Sequence, residues 1–135
     1  SSGGTDSFLA RADRDGRIRW AISAGGAGEE IGPEVEVDRA GFSYLTGTFS
    51  GAASIGRFTL NTSGVRGAYV AKVSPQGRVL WVVQSEESVF ATLGELSLGP
   101  GSVSVLGRFV GFLRFGAFDL AAAGETDYFL SRLRR

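Results

Sequence analysis

The sequence is built from one segment that occurs more than once. The stretch Phe8 to Arg11 recurs as Tyr69 to Lys72 and again as Phe129 to Arg132, and each copy reads aromatic, aliphatic, small, basic. The period is about 60 residues, and a fixed period on this scale is typical of chains that stack one supersecondary unit several times. The repeat therefore constrains the fold more than any other feature.

Further segments follow the same period. Gly16 to Trp20 recurs as Gly77 to Trp81, and six positions from Gly47 to Leu60 recur as Gly107, Phe109, Gly111, Gly116, Phe118 and Leu120. The sequence therefore predicts one repeat at about 3–63, a second at about 64–123 and the start of a third at about 124–135. Residues 1–135 are interpreted as one repeat-built β domain or as a segment of a larger propeller.

The local patterns predict β-structure. Ser7 to Ala12 is a predicted strand, and Asp13 to Gly16 is a predicted turn, where aspartate bonds its own backbone and glycine adopts positive φ. The following segment alternates polar and apolar residues, which predicts that Ile18, Trp20 and Ile22 share one face.

The rest of the repeat predicts short strands at Val35 to Val37 and at Ser43 to Phe49, followed by a hairpin at Ile55 to Leu60. No helix of useful length is predicted. Four or five short strands per repeat predict an all-β fold in which each repeat forms one antiparallel sheet, and radial stacking of such sheets gives β-propeller blades. The alternative architecture is a stacked β-repeat filament or solenoid.

The elements of the first repeat resemble the bacterial β-propeller repeat family known as SBBP repeats. The resemblance rests on D-x-F-L-A-R at Asp6 to Arg11, D-x-x-G at Asp13 to Gly16, the Trp20 strand, V-x-V-D at Val35 to Asp38 and S-Y-L-T-G-x-F at Ser43 to Phe49. It implies a non-catalytic structural scaffold of a secreted or cell-surface bacterial protein.

Two repeats and a spare first strand leave sheet edges to be covered, since unpaired edges promote aggregation. We expect strand pairing with further repeats of a longer propeller or with other copies of the chain. Three copies would close a ring of about six blades and four a ring of about eight. An open solenoid or extracellular fibre subunit is the third arrangement.

Composition narrows the chemistry. The chain has no His, Cys or Met, which removes imidazole bases, thiolate nucleophiles and the usual zinc ligands. Lys plus Arg equals Asp plus Glu at 14 each, so nucleic acid is not an expected partner. No stretch of the sequence is close to the length of a membrane-spanning helix, which needs about 18 consecutive apolar residues. We expect no catalytic activity, no cofactor and no metal.

Two acidic features are candidate sites. Asp13, Asp15 and Gly16 resemble the start of a calcium loop, but the twelfth position is Ala24 instead of Glu, so a turn is the better interpretation. The pairs Glu29-Glu30 and Glu86-Glu87 could hold a cation or serve as acid and base. Adjacent strand residues point to opposite faces, which argues against both roles.

Two sets of apolar residues are candidate contact sites. Trp20 and Trp81 are predicted to pack between blades, and in a lectin-like module they would stack on glycan. Phe112, Leu113 and Phe115 replace smaller residues of the first repeat. If that hairpin lies at the surface it is a partner site, and if it packs under a neighbouring repeat it is core. The leading function is thus a structural or interaction scaffold, and the alternative is a carbohydrate-binding ring.

Overall fold

The computed structural model describes residues 4–31, 34–86 and 89–135. Within these residues the chain forms thirteen β-strands and no helix, and every pairing between the strands is antiparallel. In chain order they are β1 Ser7–Ala12, β2 Ile18–Gly26, β3 Val35–Val37, β4 Ser43–Phe49, β5 Ala52–Ile55, β6 Phe58–Asn61, β7 Gly67–Val73, β8 Val79–Glu86, β9 Phe90–Gly99, β10 Ser102–Val110, β11 Phe112–Phe115, β12 Phe118–Ala121 and β13 Asp127–Arg134.

The predicted all-β, antiparallel class is confirmed, but the predicted strand number per repeat is wrong. Each full repeat supplies six strands, β1–β6 and then β7–β12, and β13 is the first strand of the third repeat. The predicted number is too low because Ala52–Ile55, the first arm of the terminal hairpin, is small and polar and lacks the pattern of a strand.

The sequence predicted that each repeat forms one sheet, and this prediction is wrong. The first sheet has the order β1-β2-β5-β6, the middle sheet β3-β4-β7-β8-β11-β12 and the last sheet β9-β10-β13. The third and fourth strands of a repeat therefore lie in the same sheet as the first, second, fifth and sixth strands of the next repeat. Among the described strands, the middle sheet has all six positions of this pattern, whereas the first sheet has no third and fourth strands beside β1 and the last sheet has no second, fifth and sixth strands beside β13.

The predicted common face for Ile18, Trp20 and Ile22 is wrong because of a bulge. Arg11 pairs with Trp20, but Ala12 pairs with Ile18, so the β2 strand carries one extra residue at this point. An extra residue reverses the side-chain alternation. Trp20 and Ile22 pack on the middle sheet, while Ile18 is exposed on the opposite face. The second repeat has the same bulge between Val79 and Trp81.

Two apolar cores lie between the three sheets. The sheets stack in the order first, middle, last. We call the side of a sheet that faces the first-sheet end of this stack its leading face, and the opposite side its trailing face. The first core joins the trailing face of the first sheet to the leading face of the middle sheet, and includes Ala24, Ile55, Leu60, Tyr69 and Val73. The second core joins the middle sheet to the last sheet and includes Val70, Val105, Leu113, Phe115 and Phe129.

A glycine opposite an aromatic ring fixes how the repeats join. Gly47 on β4 pairs with Tyr69 on β7, and a Cβ on Gly47 would lie 2.6 Å from the Tyr69 hydroxyl. Gly107 on β10 pairs with Phe129 on β13 in the same way, with 2.5 Å from a Cβ to the Phe129 ring. The aromatic residue of each first strand thus lies across a glycine of the preceding repeat, and both partners recur with the period.

Candidate functional site

In the acidic turn of the first repeat, the Asp13 carboxylate binds backbone N–H groups and an arginine side chain. Asp13 Oδ1 accepts hydrogen bonds from the N–H groups of Asp15 and Arg17, each at 2.9 Å, and Asp13 Oδ2 lies 2.7 Å from the Arg19 guanidinium. Ser74 Oγ accepts the two equivalent bonds in the second repeat. Asp13 therefore stabilises the turn, as predicted from its residue type.

The first pair of carboxylates, Glu29 and Glu30, does not converge into a site. Glu29 is exposed, whereas its neighbour Glu30 is buried between the first and middle sheets, and neither oxygen of Glu30 has a hydrogen bond of good geometry. Burial raises the pKa of Glu30, the Gly26 backbone lowers it and the nearby Asp6 carboxylate raises it. Glu86 is exposed at the end of β8, and Glu87 lies outside the described residues.

No group of three acidic, histidine or cysteine side chains able to hold a metal is present among the described residues. Glu30 has Asp6 beside it, but both lie away from the described grooves.

The two tryptophans occupy equivalent positions in the two cores. The Trp20 indole lies over Gly77, where a Cβ would approach it to 2.7 Å, and its Nε1 donates a hydrogen bond to the Pro75 carbonyl at 2.9 Å. Trp81 packs on the second core with its ring centroid 6.4 Å from that of Tyr44. Both rings are half-buried between sheets.

The hairpin at Phe112 is largely part of the core. Leu113 and Phe115 are buried against the last sheet, because alternate residues of β11 point to its trailing face. Phe112 points the other way and is exposed at the margin of the sheet. The surface interpretation therefore does not fit Leu113 and Phe115, and Phe112 is the exposed residue of the three.

The leading face of the first sheet exposes residues that are buried elsewhere in the repeat. Phe8 is 73% exposed, whereas its equivalent Tyr69 is 1% exposed. Ile18 is exposed, whereas its equivalent Val79 is buried in the first core. The difference arises because no described sheet precedes the first one.

The trailing end shows the same difference on the opposite side. Leu130 is 74% exposed, and its equivalent Val70 is fully buried. Phe118 is 70% exposed, whereas its equivalent Phe58 packs against the first core together with Val82 of β8. The last sheet has no counterpart of β8, so nothing in the described chain covers Phe118.

A groove runs beside the free edge of β1 and another beside the free edge of β13. One, of about 290 Å³, lies between β1 and β3 and is lined by Ala10, Trp20, Val35 and Val37, among others. The other, of about 340 Å³, lies beside β13 and is lined by Phe115, Phe118 and Leu130, among others. We call the leading face with its groove the leading end, and the trailing face with its groove the trailing end. Each groove is the space that a strand would fill in a complete sheet.

The exposed residues Phe8, Ile18, Phe118 and Leu130 were not identified as sites from the sequence, although the signal was present. Aligning the repeats already places Phe8 with Tyr69 and Leu130 with Val70. What the alignment lacks is the assignment of strands to sheets, without which the buried copy and the exposed copy cannot be told apart.

Comparisons with protein families, curated proteins and solved structures give no significant match. The described residues contain no helix long and apolar enough to cross a membrane.

Proposed function

We propose that this chain is a non-catalytic structural scaffold whose two ends join to further repeats of the same kind. The observation that carries the proposal is the inversion of burial between equivalent residues. Phe8, Leu130 and Phe118 are exposed at the ends, while Tyr69 and Val70 are buried and Phe58 is packed in the interior. A large exposed apolar area on a folded chain marks a site of association.

The arrangement proposed for the assembled state is a β-propeller-type stack, with one six-stranded sheet as each blade. Three sheets that stack face to face through two cores support this architecture, and so does the resemblance to SBBP repeats. That resemblance is also the reason for proposing a bacterial secreted or cell-surface location.

Self-association of the intact chain tests the joining function. Light scattering coupled to size exclusion measures its molar mass over a range of concentrations. We expect the mass to rise with concentration, because burying one large apolar side chain contributes about 1.5–3 kcal/mol.

The variant for comparison carries Phe8→Lys, Phe118→Lys and Leu130→Lys. It should stay monomeric with an unchanged circular dichroism spectrum, since all three side chains are exposed. A control with lysine at Ser63, Gln76 and Ala121, which are exposed and lie outside both end faces, should associate like the parent chain. Equal behaviour of the parent chain and the end variant would argue against joining through these surfaces.

A further inference from the structure

β1 and β13 are the same strand of the repeat, and both have a free edge. The segments 6–11 and 127–132 share the same residue at four of six positions, namely aspartate, phenylalanine, leucine and arginine. β13 pairs with β10 through eight residue pairs, while β1 pairs only with β2 among the described strands. The strand that β10 recognises is therefore present twice in every copy.

We propose that β1 of a second copy pairs with β10 in the place that β13 holds, so that copies join head to tail by strand exchange. This inference rests on the proposed function, and it names the partner of the leading end as the β9–β10 hairpin of another copy. Strand addition of this kind derives its affinity from main-chain hydrogen bonds and its register from side-chain pockets.

Register follows from the glycine that faces the aromatic ring. Phe129 lies across Gly107 in the intact chain, where a larger residue than glycine would clash with the ring. Phe8 is the equivalent residue of β1 and is exposed, with no described strand on that side of β1. Placing Phe8 opposite Gly107 brings Arg11 opposite Ser104, as Arg132 is now.

The exchange completes both end sheets at once. The hairpin β9-β10 of one copy, followed by β1-β2-β5-β6 of the next, has the same strand types in the same order as the middle sheet. Every copy then contributes two complete sheets, and β13 is the redundant strand. No other pairing of the described free edges fills the missing places of both sheets.

The groove between β1 and β3 accepts the same hairpin. Its floor includes Val35 and Val37, which are exposed on the leading face of the middle sheet. On the trailing face of β4, Thr46 is buried at the interface with the last sheet. Its equivalent on β10 is Leu106, which is exposed in the intact chain and would cover these valines after exchange.

A side-chain contact between sheets would also be repeated. Glu34, which immediately precedes β3, accepts a hydrogen bond from the Leu96 N–H of the last sheet at 3.0 Å. Glu95 precedes Leu96 as Glu34 precedes Val35, and it is exposed. After exchange, Glu95 of one copy faces the Val35 N–H of the next.

Cross-linking tests the exchange, because the chain contains no cysteine. A chain ending at Ala123 lacks β13, and in it we introduce Arg11→Cys and Ser104→Cys. β1 and β10 belong to different sheets of one copy, so a disulfide between them joins two copies. We expect disulfide-linked oligomers under mild oxidation.

Three controls accompany this experiment. Full-length Ser104→Cys with Arg132→Cys should form a disulfide within one chain and shows that the register permits the bond. Truncated Arg11→Cys with Ser102→Cys is out of register and should cross-link far less. Adding Phe8→Asp to the in-register variant should lower the yield at least about tenfold, since it removes the burial of one phenylalanine.

The proposal is overturned if the truncated in-register variant is folded and remains monomeric, or if cross-linking ignores register and Phe8→Asp. If the truncated chain does not fold, peptides covering 4–14 and 124–135 are added separately. Exchange is supported if each of the two peptides, added singly, restores the strand signal in circular dichroism. If only peptide 124–135 restores the signal, or if neither peptide does, the result contradicts exchange. Failure of exchange together with association of the intact chain leaves the proposed function standing.

Discussion

Glu30 is a carboxylic acid in a position where the other repeat has a small apolar residue. It precedes Ile31, which pairs with Thr48, and the corresponding residue of the second repeat is the fully buried Ala91. Its ionisation is opposed by burial and by the Asp6 carboxylate. The same ionised group helps to raise the pKa of the buried Tyr69 to about 12, after the larger effect of burial.

Replacing Glu30 with glutamine should stabilise the fold at neutral pH by about 1 kcal/mol, because the ionised form has no good hydrogen-bond partner. The folded pKa of Glu30 lies above the ordinary value of 4.5, so the contribution of Glu30 to stability is most favourable below pH 4.5 and is lost as pH rises through the folded pKa. Glu30→Gln should lack that loss. Urea unfolding below pH 4.5 and at neutral pH measures both effects.

Glu29→Gln is the control, since the exposed neighbour should change stability little at either pH. A Glu30→Gln chain that is less stable than the parent at neutral pH would mean that the ionised carboxylate stabilises the fold.

At the scale of strands, the glycine opposite each aromatic ring is a specific constraint. Gly47→Ala should destabilise the chain by about 1–3 kcal/mol, because its Cβ would overlap the Tyr69 side chain. Gly94→Ala in β9 is the matched control, since a Cβ there meets only a backbone oxygen at 3.8 Å. Thermal unfolding compares the two variants, and equal stability of both would exclude a steric role for Gly47.

Equivalent phenylalanines in first strands should differ sharply in their contribution to stability. Phe129→Ala should cost about 3 kcal/mol or more, because the ring is buried among Phe109, Phe115 and Gly107. Phe8→Ala should change stability by less than about 0.5 kcal/mol in a dilute monomer, since its ring is exposed. Urea unfolding gives both values, and a large cost for Phe8→Ala would show that the leading face is covered.

Strand positions were predictable from sequence because the turns that bound them contain characteristic residue types. Asp38 Oδ1 accepts bonds from the Ala40 and Phe42 N–H groups, and Gly41 has a φ of 84°, which are the features that its residue types favour. The predicted β1 and β4 have the observed bounds. Burial keeps the Asp38 carboxylate partly from water, but these hydrogen bonds lower its pKa on balance.

The bulge and the assignment of strands to sheets were not predictable in this way. The extra residue in β2 leaves polar and apolar residues in simple alternation, so the pattern around Ile18 gives no sign of it. Pairing of β4 with β7 joins two repeats, and it depends on the contact of Gly47 with Tyr69 instead of on any turn. Only the three-dimensional arrangement shows which copy of a repeated residue is exposed and which is buried.

At the scale of the whole molecule, we propose that both ends are unfinished interfaces of one repeating structure. Stability of a repeat protein is close to a sum of units and nearest-neighbour contacts. Each added repeat should therefore stabilise its neighbour, and the carboxyl end offers a defined junction, because Arg134 of β13 corresponds to Ser74 after β7.

The most direct test is the free energy of unfolding of a chain in which a second copy of 75–135 follows Arg134. The added β8 would pair with β13 and cover Phe118, as β8 covers Phe58. We predict one cooperative transition in urea and a gain of about 2 kcal/mol or more, since Phe118 and Leu130 both become buried. Two separate transitions, with the original one unchanged, would contradict the proposal.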